Sequence, residues 1–242
     1  MITTLAGFSQ ISAQGILNES STGLHVLGTY METADGRGYR YAKIGATATV
    51  AGKVYQGPAL DATNMQPSGG LATAAAAIGA TEITTTDTVT LAANLLAGGY
   101  LSVVVTPGQG YTYRIKGNTA ATAAAVTFYL EDPVQIALTT SSNIIVAKHP
   151  YDGLVIEPGT PTARIAGVPN AIITAAYYGW VQTRGACAVL FVGTGVAGKV
   201  VGSLSGGTSG SMAPAIAATN IGGEHMATGI TTEYSLVYLT IG

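Results

Sequence analysis

Apolar side chains in this chain come in short alternating runs, not in long stripes. In YTYRIK (111–116) the period is two: Tyr111, Tyr113 and Ile115 fall on one face, and Thr112, Arg114 and Lys116 on the other. That is the pattern of a strand with one side on a core and one in water. Runs rich in Val, Ile, Thr and Tyr recur in YRYAKIG (39–45), KVYQGPAL (53–60), YLSVVVT (100–106), AVTFYLED (125–132), NIIVAKH (143–149), ACAVLFVG (186–193) and EYSLVYLTIG (233–242). Gly, Pro, Asn and Asp punctuate them, which predicts an all-β protein. Alanine and leucine favour helix in LATAAAAIGA (71–80) and TLAANLLAGG (90–99). Both are short and end at glycine, so they are expected to form at most brief helices or loops.

Two turn-rich stretches, QPSGG (66–70) and HPYDG (149–153), bracket a coherent β segment. The expected organisation is an arm and the first part of a β body in residues 1–70, an inserted, projecting β domain in 71–148, and the second part of the body in 149–242. The fold class expected is all-β: a β-sandwich or barrel-like body, a small inserted β domain and an extended N-terminal arm. A local likeness between TVAGKVYQG (49–57) and GVAGKVVGS (195–203) links the two body segments but is too short to be a repeat.

Composition narrows the function classes. The 242 residues suffice for a substantial core. Only 9% are charged, against about 25% in an ordinary soluble domain, and the mean hydropathy is +0.38. Either a membrane or neighbouring subunits must cover such a surface. Every apolar run is interrupted before the roughly 20 residues a spanning helix needs, and barrel strands that cross a membrane are disfavoured as well. The N-terminal stretch lacks a basic region and meets its first charge at Glu19, so it reads as an uncharged arm and not as a signal peptide. A net charge of -2 argues against nucleic acid as a partner. Cys187 is the sole cysteine, which leaves no internal disulfide and no thiolate cluster and reads as a small buried apolar residue.

Several motifs promise chemistry and fail on context. Gly193, Gly195 and Gly198 have G-x-G-x-x-G spacing, and Gly193, Gly198 and Lys199 fit the start of a phosphate loop. A phosphate loop needs a helix behind it and Ser or Thr after the lysine, whereas Val200 and Val201 follow here. A hairpin is expected instead, with AVLFV rising, GTG turning and KVVGSL returning. GGTSGSMAPA (206–215) superficially resembles a protease serine loop, but His25, His149 and His225 offer no base in context, leaving Ser209 and Ser211 as loop residues. Glu131 and Asp132 are adjacent and point to opposite faces of a strand. RGYRYAK (37–43) interleaves basic and aromatic residues, but one such strand in an acidic chain reads as a solvated or interfacial strand. No catalytic residue, cofactor or metal site is expected.

The segments GQGYTYRIK (108–116), LEDPVQIALT (130–139) and YYGWVQTRGACAVL (177–190) carry a resemblance that extends from GYRYAKIG to the closing TTEYSLVYLTIG. The chain resembles the capsid decoration, or cement, proteins of tailed bacteriophages. Where those proteins read GPCAVL before a variable glycine-rich stretch, this chain reads GACAVL. The resemblance implies a structural virion protein on the outer surface of the capsid, with the major capsid protein and its own copies, as a homotrimer, for partners. It implies no catalytic residue. Contact residues are expected in the arm (Met1, Ile2, Leu5, Phe8, Ile11) and in Tyr39, Arg40 and Tyr41. Trp180 is expected either in the core or as an interfacial anchor. The other expectation is a fibre or adhesin module whose insert binds host surface glycans through Tyr111, Tyr113 and Tyr129.

Overall fold

The computed structural model describes residues 14–203, 207–215, 220–228 and 230–241. The chain divides into two compact units: a body made of the residues up to Pro58 and from Pro150 onward, and an insert, Ala59–His149. Among the described residues every regular element is a strand. The body opens with β1 (Tyr30–Glu32), β2 (Gly38–Ile44) and β3 (Tyr55–Gln56). The insert supplies β4 (Leu71–Ala72), β5 (Glu82–Thr84), β6 (Val89–Leu91), β7 (Tyr100–Val103), β8 (Thr112–Asn118), β9 (Ala121–Ala124), β10 (Thr127–Leu130) and β11 (Asn143–Ala147). The body resumes with β12 (Asp152–Ile156), β13 (Ile165–Pro169), β14 (Tyr178–Phe191), β15 (Val200–Ser203), β16 (Ala213–Pro214), β17 (Asn220–His225) and β18 (Glu233–Thr240).

The body sheet runs β1-β2-β12-β3-β13-β14-β18-β17-β15-β16, with a further pairing of β2 to β14. That pairing closes β2, β12, β3, β13 and β14 into a ring, the barrel-like part of the body, and closure leaves those strands no free edge. Burial within the ring is deep in β13 and β2, while β12 exposes Val155. β13 (IAGVP) is buried at every position, and β2 at all but Arg40 and Lys43. β14 is fourteen residues long and serves three partners, β13 at Val181 and Gln182, and β2 and β18 in succession. Tyr178–Arg184 lie opposite β2, and Arg184–Phe191 opposite β18. The change of partner falls at a bulge between Gln182 and Arg184, followed by Gly185 at φ +85°. A Cβ on Gly185 would sit 3.0 Å from the Arg37 side chain, so glycine is required there on both counts.

The chain leaves the body after β3 and re-enters it at β12, and these two strands are antiparallel neighbours, with Val155 opposite Gln56. An insertion between adjacent strand ends interrupts no pairing, which is why a domain is tolerated there. The insert itself is an antiparallel sheet, β4-β11-β7-β8-β10-β5, plus the ribbon β6-β9. Its core holds Leu96, Leu101, Ile115, Phe128, Leu138 and Ile144. The unit begins at Ala59, ahead of the Leu71 boundary drawn from sequence. The alanine-rich stretches are strand ends and tight turns: Leu71–Ala72 pair with β11, and residues 93–98 are turn. In YTYRIK the alternation is seen directly, with Tyr113 and Ile115 buried and Thr112 and Lys116 exposed. Tyr111 precedes the strand and lies exposed, its ring stacked 6.4 Å from that of Tyr113.

Candidate functional site

The contact residues expected from sequence separate into two groups. Met1, Ile2, Leu5, Phe8 and Ile11 lie outside the described residues. Tyr39, Tyr41 and Trp180 belong to the body's own core. Trp180 is 2% exposed, and its Nε1 donates to the Gln14 carbonyl at 3.1 Å. The Tyr41 hydroxyl donates to Gln14 Oε1 at 2.9 Å and accepts the Leu24 N–H at 3.1 Å. The two rings meet edge to face at 5.1 Å, with His25 packed against both. Tyr39 faces Gln182 and Asn170, whose amide donates to Gln182 Oε1 at 2.7 Å and to the Tyr39 hydroxyl at 3.3 Å. Arg40 is part-buried. It donates to the Gly28 carbonyl at 2.9 Å, with its guanidinium 5.2 Å from the Tyr30 ring. YRYAKI is therefore a central strand of the barrel and not a surface strip.

The glycine loop follows β14 and leads into β15, but β18 and β17 lie between those two strands. The expected hairpin is thus replaced by a crossover, because β18 and not β15 takes the free edge of β14. Gly193 and Gly198 do adopt positive φ, +99° and +76°. Val200 begins a strand, so no helix N-terminus presents N–H groups to a phosphate. The Ser211 hydroxyl donates to the Thr208 carbonyl at 2.7 Å. His225 is buried, 4.5 Å from the Phe191 ring, with Nδ1 on the Ala227 carbonyl. His149 stacks with Tyr100. Among the described residues no three His, Cys, Asp or Glu side chains converge. Burial pushes the Cys187 thiol up to about 12, so it stays protonated beside Asn170.

One buried acid was invisible to sequence reasoning. Glu157 is 1% exposed, its Oε1 has no hydrogen-bond partner among the described residues, and burial pushes its carboxyl up to about 7. Around it three segments are tied in a cycle: Glu157 N–H donates to the Val54 carbonyl, Val54 N–H to Gly210, and Gly210 N–H to Glu157, at 2.8–3.0 Å.

Two surfaces stand out. On the body, β18 alternates strictly, with Ser235, Val237 and Leu239 turned inward. Its outward positions Tyr234, Leu236 and Tyr238 are 52%, 43% and 41% exposed. Register places Leu190, Ala188 and Ala186 of β14 beside them in turn. The row carries no charge of its own, and charge enters at its Tyr238 end, where Glu224 of β17 lies alongside. A groove of about 320 Å³ runs alongside, lined by Arg37, Ala51, Gly52, Ala188, Tyr234 and Leu236. On the insert, a cleft of about 500 Å³ is lined by Thr81, Asn94, Lys116, Gly117, Tyr129 and Glu131.

No known family model, curated protein or solved structure matches the chain. Among the described residues no helix is long and apolar enough to cross a membrane.

Proposed function

We propose that this chain is a structural virion protein, a capsid decoration protein that coats the outer surface of a tailed-phage head as a homotrimer and stabilises the major capsid lattice. The observation that carries the reading is the outward row Tyr234, Leu236 and Tyr238, flanked by Ala186, Ala188 and Leu190, on a rigid sheet. Each half-exposed side chain of that row gains about 1 kcal/mol when a neighbour covers it. Charge depletion at the centre of a patch is a mark of interfaces. In a chain with 9% charged residues, such a face is better suited to a neighbour than to water. Contacts of that modest strength become effectively permanent when repeated around a shell. The shell as the larger scaffold comes from the resemblance carried by GQGYTYRIK, LEDPVQIALT and YYGWVQTRGACAVL. No catalytic residue or cofactor belongs to this reading.

The test is copy number and position. Antibody against the chain should label the outside of intact particles, and quantitative mass spectrometry should find it in proportion to the major shell protein. A chain missing from particles, or present in the few copies of a tail component, overturns the assignment.

A further inference from the structure

The cleft on the insert gathers an aromatic ring and several polar side chains that the shell-coating reading does not use. Tyr129 projects from β10 with its ring 41% exposed, opposite Gly117 of β8 and Glu82 of β5. Gly117 leaves the floor beside the ring open. A Cβ there would lie 2.6 Å from Asn94 Oδ1, so the Asn94 amide occupies the space a side chain would otherwise fill.

Asn94 is the informative residue. It sits at φ +56°, a left-handed conformation that asparagine enters more readily than other residues with a side chain. Its N–H donates to the Asn118 carbonyl at 2.9 Å, and its carbonyl accepts the Ala97 N–H at 3.1 Å, so its backbone is pinned on both sides. The turn is braced from beneath by buried Asn118. That side chain accepts the Leu96 N–H at 3.0 Å and donates to the carbonyls of Ala92 and Thr119 at 2.9 and 2.8 Å. Asn94, Lys116 and Tyr129 are all exposed at the cleft, and no hydrogen bond within the described residues ties up their side-chain polar groups. Glu131 Oε1 lies 3.3 Å from Arg114 Nε, and the carboxylate also lines the cleft. An exposed amide on a turn whose backbone is hydrogen-bonded on both sides can meet a ligand with little further ordering of the chain.

We propose that this cleft binds a neutral saccharide, one sugar ring stacking on Tyr129 while Asn94, Lys116 and Glu131 take its hydroxyls. The chemistry selects this class. A sugar presents a face of C–H bonds to an aromatic ring and a rim of hydroxyls that each donate and accept. The cleft answers with one ring, two donors and two acceptors. Lys116 and Arg114 on β8 are matched by Glu131 and by Glu82, the cross-strand neighbour of Tyr129, which favours an uncharged ligand over a phosphate or an acidic sugar. The volume is within the range of small-ligand pockets.

The experiment uses the full chain and saturation-transfer NMR with lactose, maltose, cellobiose and chitobiose at tens of millimolar, and with sialyllactose alongside. At least one neutral disaccharide is expected to bind in the millimolar range. Tyr129→Ala should weaken it about tenfold, the upper end of what an aromatic contact contributes. Asn94→Gly keeps the turn, since glycine is at ease at that φ, and should weaken binding several-fold without lowering Tm. The proposal fails if none of the neutral sugars binds, if both variants bind as the parent does, or if sialyllactose alone binds.

Discussion

β8 of the insert and β18 of the body obey the same two-residue period, yet their outward rows have opposite chemistry. β8 shows Thr112, Arg114 and Lys116 to its outer face, with Tyr129 and Glu131 nearby, whereas β18 shows Tyr234, Leu236, Tyr238 and Thr240. Inward, both strands turn large apolar side chains to a core: Tyr113 and Ile115 in one, Val237 and Leu239 in the other, beside the smaller Ser235. Alternation therefore tells which side is core, and only the residues on the far side tell what that side meets. A charged and aromatic row is at home in water with a polar ligand. An uncharged apolar row is better covered by protein.

The comparison breaks most visibly at the two cores, which should fail independently. Trp180→Ala removes the centre of the body's aromatic cluster and Phe128→Ala the centre of the insert's core, each expected to cost about 3–5 kcal/mol. Hydrogen exchange followed by mass spectrometry should show protection lost in Ala59–His149 for Phe128→Ala, and in the body strands for Trp180→Ala. Loss across both units from either change would mean that they form one cooperative whole.

The two units should also answer pH in opposite directions. Glu157 in the body is raised by burial, so its proton is held more tightly in the folded state than in the unfolded chain. The stability that depends on that proton is complete below the ordinary glutamate range and is lost as pH rises through about 7. Asp61 in the insert is lowered, chiefly because its carboxylate accepts the N–H of Asn64. Its contribution is present at neutral pH and lost as pH falls below the ordinary aspartate range. Glu157→Gln should therefore stabilise the body by about 1–3 kcal/mol above neutrality and by little in acid, since a neutral amide avoids the uncompensated charge. Equal effects at both pH values, read from thermal melts, would contradict the sign.

The outward rows can be exchanged in kind. Leu236→Lys should weaken self-association at least about tenfold, as loss of a contact near an interface centre does. Folding of the single chain should change by only about 0.5 kcal/mol, as for other surface positions. Tyr129→Lys on the insert should leave association untouched. Sedimentation velocity distinguishes the two, and equal behaviour of the pair would remove the distinction between the faces.

Local pattern in the sequence was enough for all of this alternation, because a strand's period is a property of its own backbone. The eight runs singled out by period and composition each contain all or part of a strand, from β2 to β18. What could not be seen was pairing. The ring closed by β2 and β14 is what buries Tyr39, Tyr41 and Trp180, and no feature of YRYAKI alone distinguishes a barrel stave from an exposed strip. The same holds for the glycine loop, where β18 sits beside β14 in place of β15. The insert's cleft was half visible. Tyr129 was picked out as an aromatic, but Asn94 lies in a stretch whose alanines and leucines spoke for helix, and only its φ of +56° marks it. Glu157 gave no signal, since a lone acid beside Pro158 looks like any loop carboxylate.

The smallest effect concerns the ion pair on the insert's outer row. Arg114 Nε lies 3.3 Å from Glu131 Oε1, with both side chains well exposed at 38% and 43%. Two solvated ions at that exposure gain little over their separate hydration and lose side-chain freedom in meeting, so a double-mutant cycle with Arg114→Ala and Glu131→Ala should return about 0–1 kcal/mol. Salt should diminish even that, because screening acts fully on exposed charges. The pair's consequence lies in position. Glu131 lines the cleft as well as meeting Arg114, so Arg114→Ala should alter sugar binding more than it alters stability. A coupling well above 1 kcal/mol that persists in high salt would instead make this row part of what holds the insert together, and the contrast with the uncharged β18 row would then be one of stability as well as of surface chemistry.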